Sequence, residues 1–224
     1  MTCEKPQHTS AQPSAAPARV AFLGPIGTYS HEVTQKRFPG REYKLEPYPS
    51  IHEAVHALLP PSPTQQGRPR ASWAVVPLEN SYFGPVLETR QVLEEPLVIR
   101  HIRTLDERIS LNVHHCLIAR IPPLSSPSTP SDPLPPIRKI FSHPQALGQC
   151  RQYIADHYPH AQTVATSSTA EAAALVADDA SGSSLAIGST SCISYFPRLF
   201  VLQSNIQDAG KENVTTFIVL KIID

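Results

Sequence analysis

The sequence has no excess of charge of either sign: lysine plus arginine and aspartate plus glutamate each number 19 in 224 residues. That balance supplies no basic field for nucleic acid or an anionic membrane surface, so the expected partner is a small molecule. No apolar run approaches the roughly 18 residues that span a bilayer, and the N-terminus lacks the basic-then-apolar layout of a secretory signal. The expectation is a soluble, cytoplasmic protein. A C-x-x-C pair is also missing. Cys3, Cys116, Cys150 and Cys192 lie far apart, which argues against a zinc ribbon or a disulfide framework, and they read as reduced thiols. Proline is plentiful, at 24 residues, but concentrated. Residues 1–17 read as a disordered tail, and 60–70 and 121–136 as long loops, the second a Pro-rich insertion.

What remains alternates strand with helix. A compact apolar strand at 19–23 runs into Gly24-Pro25-Ile26-Gly27-Thr28-Tyr29-Ser30 and then a helix over about 31–38. Strand, glycine turn and helix start together suit an anion, although the third glycine of the dinucleotide fingerprint is absent. A strand at 72–76 delivers Glu79-Asn80-Ser81 to its end, where open α/β sheets place ligand groups. Further strands are expected at 97–104, around Ile109, Leu111 and Val113, and at 116–118. A strand ending at Phe141 is followed by a helix from Pro144 to about His157. Ser142, Gln145 and Gln149 lie off the apolar stripe of that helix and form a polar cradle for a carboxylate or carbonyl. After a strand at 163–165, Ser168-Thr169-Ala170-Glu171 is a capping box opening another helix. Strands at 185–187, 200–202 and 214–223 and a short helix at 189–196 complete the pattern. The implied class is α/β with mainly parallel sheets, in two lobes with a cleft between them. Lobe 1 would comprise 18–108 plus 204–224, and lobe 2 would comprise 109–203.

Ser50-Ile51-His52-Glu53 is a second capping box, and His52-Glu53-Ala54-Val55-His56 also matches the zinc-protease pattern H-E-x-x-H. Both histidines share a face opposite the Val55 and Leu58 stripe, Glu53 is explained by the cap, and the helix ends within a turn at Pro60-Pro61. The reading is a solvated helix face, with no metal assigned.

Taken in order, the glycine turn, Pro77-Leu78-Glu79-Asn80-Ser81, Ser142-His143-Pro144-Gln145-Ala146-Leu147, Ser168-Thr169-Ala170 and Asn205-Ile206-Gln207-Asp208 resemble the motif series of the prephenate dehydratase family. The resemblance implies two lobes like a type II periplasmic-binding-protein fold, prephenate held between them, no cofactor, and a place in phenylalanine biosynthesis. It implies Thr215, Glu79 and Ser142 as catalytic residues. Asn80, Ser81, Gln149, Thr28, Ser168, Thr169, Asn213 and Phe217 would bind substrate. The family's T-R-F motif falls on Thr215-Thr216-Phe217, so its arginine is Thr216, and losing a fixed cation near a dianion would weaken binding or change the reaction. His143 is an alternative acid, or a helix cap; Cys150 is read as core. Members commonly continue into an ACT domain that senses phenylalanine, and this sequence stops at Asp224, so a catalytic domain without one is expected. Decarboxylation of prephenate without aromatisation, and mere binding of a carboxylated ligand, are the alternatives; homodimerisation is left open.

Overall fold

The computed structural model describes residues 16–60, 69–121, 136–208, 210 and 212–223. The tail expected at 1–17 and the loops expected at 60–70 and 121–136 lie almost wholly outside these residues.

The first sheet takes β1 (Ala18–Leu23), β2 (Tyr43–Tyr48), β3 (Trp73–Asn80), β4 (Gly84–Pro85), β5 (Ile102–Asn112) and β11 (Val214–Ile222), in the order β2-β1-β3-β11-β5, with β4 on β3. The second takes β6 (Cys116–Arg120), β7 (Lys139–Ser142), β8 (Gln162–Ala165), β9 (Ser184–Gly188) and β10 (Leu199–Gln203), in the order β10-β6-β9-β7-β8. Helices α1 (Tyr29–Arg37), α2 (Ile51–His56), α3 (Leu87–Leu93) and α4 (Pro96–His101) flank the first sheet. Helices α5 (Pro144–Gln149), α6 (Arg151–His157) and α7 (Thr169–Asp178) flank the second, with a 3-10 turn at Thr190–Ser194. Each sheet therefore buries both faces. In the first, Ala54 and Val55 of α2 with Leu58 just after it pack on one side and Val33 of α1 with Phe38 and Phe217 on the other. In the second, the alanines of α7 cover one face and Ala146, Cys150 and Ile154 the other. Among the described residues no helix is long and apolar enough to cross a membrane.

The parallel pairing implied by strand-helix alternation holds over one end of each sheet, as β2-β1-β3 and as β8-β7-β9. Flanking strands β11, β5, β6 and β10 pair antiparallel, and these are the strands on either side of the two passages between sheets. The passages lie side by side: Val113 N–H donates to Asn213 O at 2.7 Å, and Ile206 N–H to His115 O at 3.0 Å. Strand β5 runs to Asn112, so the first passage comes four residues later than the boundary expected at 108.

Three local readings change. The strand expected at 97–104 is α4 over most of its length. Pro96 occupies its first turn, and only Val98 is buried while Leu97 and Ile99 are more than half exposed. Apolar β-branched content outweighed that proline in the sequence. Strand β2, not foreseen, is an edge strand, where Pro47 costs no ladder bond. The helix expected from Pro144 to His157 is two helices meeting at Cys150. Asp208, from the second passage, explains the break: its N–H takes Gln149 O at 2.7 Å, and its carboxylate accepts from Gln152 N–H at 3.1 Å and Tyr153 N–H at 3.3 Å. A carboxylate distant in sequence caps a new helix start there.

Candidate active site

Between the sheets lies a cavity of about 640 Å³. From the first lobe it is lined by the turn after β1, by Tyr48 at the end of β2, and by Asn80 and Thr215 on neighbouring strands; from the second by His143, Gln145, Gln149 and Ser167-Ser168-Thr169. Val113, His115 and Asn213 of the two passages complete it. Among the described residues no lysine, arginine, aspartate or glutamate lines this space. Its polarity comes from neutral donors and helix ends.

The glycine turn works through backbone freedom. Gly24 and Gly27 hold φ of +84° and +93°, a region that costs side chains dearly, and so turn the chain from β1 into α1. Thr28 then caps α1, its Oγ1 accepting from His31 N–H at 3.3 Å. Across the cavity Ser168 caps α7, accepting from Glu171 N–H at 3.1 Å. The N-terminal ends of α1 and α7, one from each lobe, thus open on the same space, and their unpaired N–H groups favour negative charge there. The lobes also touch beside it: Cys192 Sγ donates to Gly27 O at 3.0 Å, and Ser189 Oγ to Glu32 Oε2 at 2.9 Å.

A chain of side-chain bonds runs along the opposite wall. Asn80 Nδ2 donates to Thr215 Oγ1 and to Asn213 Oδ1, both at 2.9 Å. Asn213 Nδ2 donates to Gln149 Oε1 at 2.9 Å, and His115 Nε2 lies 2.6 Å from the same oxygen. Because Gln149 Oε1 is an acceptor, His115 carries its proton on Nε2. Tyr29 Oη, 3.0 Å from His115 Nδ1 and 2.9 Å from His114 O, closes the chain. Burial lowers the pKa of His115, the hydrogen bond to Gln149 opposing this in part, and burial raises that of Tyr29 well above its ordinary value. Both are therefore neutral near pH 7. Thr215 Oγ1 accepts from Asn80 and keeps its own proton to give, on the side of the cavity.

Of the residues expected to act, Thr215, Asn80, Gln149, Asn213, Thr28, Ser168 and Thr169 line the cavity together. Four do not. Ser142 is fully buried, and its Oγ donates to Ile187 O at 2.6 Å, joining β7 to β9. Phe217 is core, packed with Val20, Val33 and Val219. Ser81 ties the β3 turn to β11, donating to Glu212 O at 2.6 Å and accepting from Val214 N–H at 2.9 Å. Glu79 is exposed and adjacent to Asn80 on a strand, so pleating turns it to the other face of the sheet. The same alternation separates Thr216 from Thr215. Register pairs Thr215 with Asn80 and Thr216 with Glu79, so an arginine at 216 would meet Glu79 rather than a ligand in the cavity. His143 is both wall and cap, its Nδ1 accepting from Gln145 N–H at 3.3 Å, and burial lowers its pKa. Sequence reasoning missed His115 and Tyr29. A histidine on the passage into β6 gives no periodic signal, and Tyr29 reads from sequence only as part of the glycine turn.

A family model described as prephenate dehydratase matches residues 20–222. The chain belongs to the prephenate dehydratase family. A bifunctional chorismate mutase/prephenate dehydratase of Stutzerimonas stutzeri is 33% identical over 171 residues, covering 76% of this chain and 40% of that protein. A prephenate dehydratase of Methanocaldococcus jannaschii is 32% identical over 203 residues, covering 90% of this chain and 64% of that one. The chain thus spans about half the length of the bifunctional relatives it matches. The crystal structure of prephenate dehydratase in complex with L-Phe from Arthrobacter aurescens superposes with a TM-score of 0.72 at 27% identity, covering 92% of this chain and 60% of that one. Within this member of the prephenate dehydratase family, the T-T-F segment keeps its first threonine at the cavity and turns the divergent position away from it.

Proposed function

We propose that this chain converts prephenate to phenylpyruvate, carbon dioxide and water, the step that yields the keto acid one transamination away from phenylalanine. The single observation behind this reading is that a proton-bearing Thr215 hydroxyl, aimed by Asn80, shares a cavity with two helix N-termini from opposite lobes. Prephenate carries two carboxylates and a ring hydroxyl. Helix N-termini suit the carboxylates, and the apolar wall of Leu23, Pro47 and Phe83 suits the ring.

In the reaction, the bond from the ring carbon to its carboxylate breaks and carbon dioxide leaves. That electron pair completes the aromatic ring as the carbon–oxygen bond on the far side breaks. The departing hydroxyl needs one proton to leave as water. Thr215 donates a hydrogen bond to that oxygen and passes it the proton, and water reprotonates the threonine, which is too weak an acid to supply protons alone. Asn80 and Asn213 hold Thr215, while His115 and Gln149 hold Asn213. His143, neutral and using Nδ1 as a cap, is the weaker candidate for the acid.

Incubating the pure protein with prephenate and identifying the product tests this directly. Phenylpyruvate with carbon dioxide is expected. A dihydro-hydroxyphenylpyruvate would instead make it a non-aromatising decarboxylase, and saturable binding without turnover would make it a binding protein.

A further inference from the structure

The H-E-x-x-H segment read as a solvated helix face gains a third partner in the structure. His56 Nε2 lies 2.6 Å from Glu95 Oε2, and His52 Nε2 lies 3.4 Å from Glu95 Oε1. The two rings stack with centroids 3.8 Å apart, and the three ligand atoms fall within 4.8 Å of one another. Glu95 precedes Pro96 at the start of α4, so the third group comes from a separate element, which sequence spacing could not show.

We infer that His52, His56 and Glu95 form a binding site for a divalent transition-metal ion of the zinc class, which clamps α2 to the corner between α3 and α4. Two imidazole nitrogens and one carboxylate oxygen are a donor set that zinc accepts, with water in the fourth position. Tetrahedral zinc with ligands at about 2.0–2.2 Å needs donors roughly 3.3 Å apart. His56 Nε2 and His52 Nε2 lie 2.6 and 3.4 Å from different oxygens of Glu95, and one ligand atom from each residue falls within 4.8 Å of the others, so side-chain rotations would draw the three donors to that spacing. The scaffold is already tied together, because His52 N–H donates to Glu88 Oε1 of α3 at 3.0 Å. The motif's own Glu53 is engaged at the helix cap, its N–H donating to Ser50 Oγ at 3.1 Å and its carboxylate 3.4 Å from the same hydroxyl. It is therefore not placed as the general base of a protease. None of the three ligands lines the cavity, but α2 begins directly after Tyr48-Pro49, which do. The ion steadies a wall of the cavity and takes no part in the chemistry.

Zinc alone, titrated into untagged, chelator-stripped protein at neutral pH, should bind one equivalent by calorimetry. At about one hundred times its Kd it should raise Tm by about 5–10 °C, from the linkage and size scaling for a chain of this length. Cobalt(II) should give the visible absorption of a four-coordinate ion. His56→Gln and Glu95→Gln should each weaken binding by about tenfold or more, whereas His160→Gln, an exposed histidine elsewhere, should not. Activity should be unchanged by a chelator at temperatures well below Tm. The proposal is overturned if neither metal binds the wild-type protein. It is equally overturned if His56→Gln, with an unaltered metal-free Tm, keeps the zinc affinity and the Tm rise. Should a variant fail to fold, the wild-type cobalt spectrum decides, since only coordination produces it.

Discussion

Replacing Thr215 with valine removes one oxygen at nearly constant volume and leaves a β-branched residue in β11. If Thr215 protonates the departing hydroxyl, kcat should fall by about two to four decades, the range for general acid catalysis, or roughly 3–5 kcal/mol of barrier. KM should change little, because the contact strengthens only as the carbon–oxygen bond breaks. Stability should change far less. Asn80 Nδ2 loses one acceptor but keeps Asn213 Oδ1 at 2.9 Å and Val214 O at 3.4 Å, so the cost is about 1 kcal/mol and a Tm drop of about 2–4 °C for a chain of this size. Thr215→Ser retains the hydroxyl and should keep kcat within about tenfold of wild type. The assay is steady-state formation of phenylpyruvate, with Tm measured on each variant first. A Thr215→Val protein that turns over at the wild-type rate would refute the mechanism and return His143 to consideration.

Thr216→Arg should leave KM unaltered and raise Tm by at most a few degrees, since the new guanidinium faces exposed Glu79 across the strand pair and such pairs contribute about 0.2–1 kcal/mol; a KM lowered tenfold would show that position 216 reaches substrate after all. Gln149→Glu keeps an acceptor for His115 and Asn213 but would set a negative charge beside the proposed dianionic substrate, so KM for prephenate should rise by about one to three decades; an unchanged KM would remove Gln149 from the proposed substrate's surroundings. Burial lowers the pKa of His31, His115 and His143 below the ordinary 6.5. Between the lowered values and 6.5 the unfolded chain holds more protons than the folded one, so stability is complete above that window and declines as pH falls through it. Thermal melts should show the decline starting near the imidazole range, and shallower in His31→Gln; a curve flat down to the carboxylate range would contradict this.

The glycine turn, both capping boxes and the order of most strands could be read from local pattern, because backbone turns, caps and periodicity are encoded within a few residues. Asn80, Gln149 and Thr215 were legible for the same reason, each sitting at an element end within a recognisable motif. Ser142, Ser81 and Phe217 sit in equally recognisable motifs yet serve the fold, and a motif does not reveal which way a side chain points. Glu79 shows the limit most sharply, since one step along a pleated strand moves it to the opposite face from Asn80. Asp208 and Glu95 act across more than thirty residues of sequence, on Gln152 and His56 respectively, and no local rule could connect them. His115 needed the antiparallel passages to be known before its neighbours could be.

Strand β11 is the last strand in the sequence but the fourth of five along its sheet, inserted between β3 and β5. Lobe 2 takes its strands from one run, β6 to β10, whereas in lobe 1, among the described residues, β5 pairs with the β2-β1-β3 group only by way of β11. During synthesis, then, the second half of the molecule can complete its sheet while the first still waits with two open edges. The strand that closes that gap also carries Thr215, so a nascent chain brings this threonine to the cavity wall at the same moment that lobe 1 becomes whole.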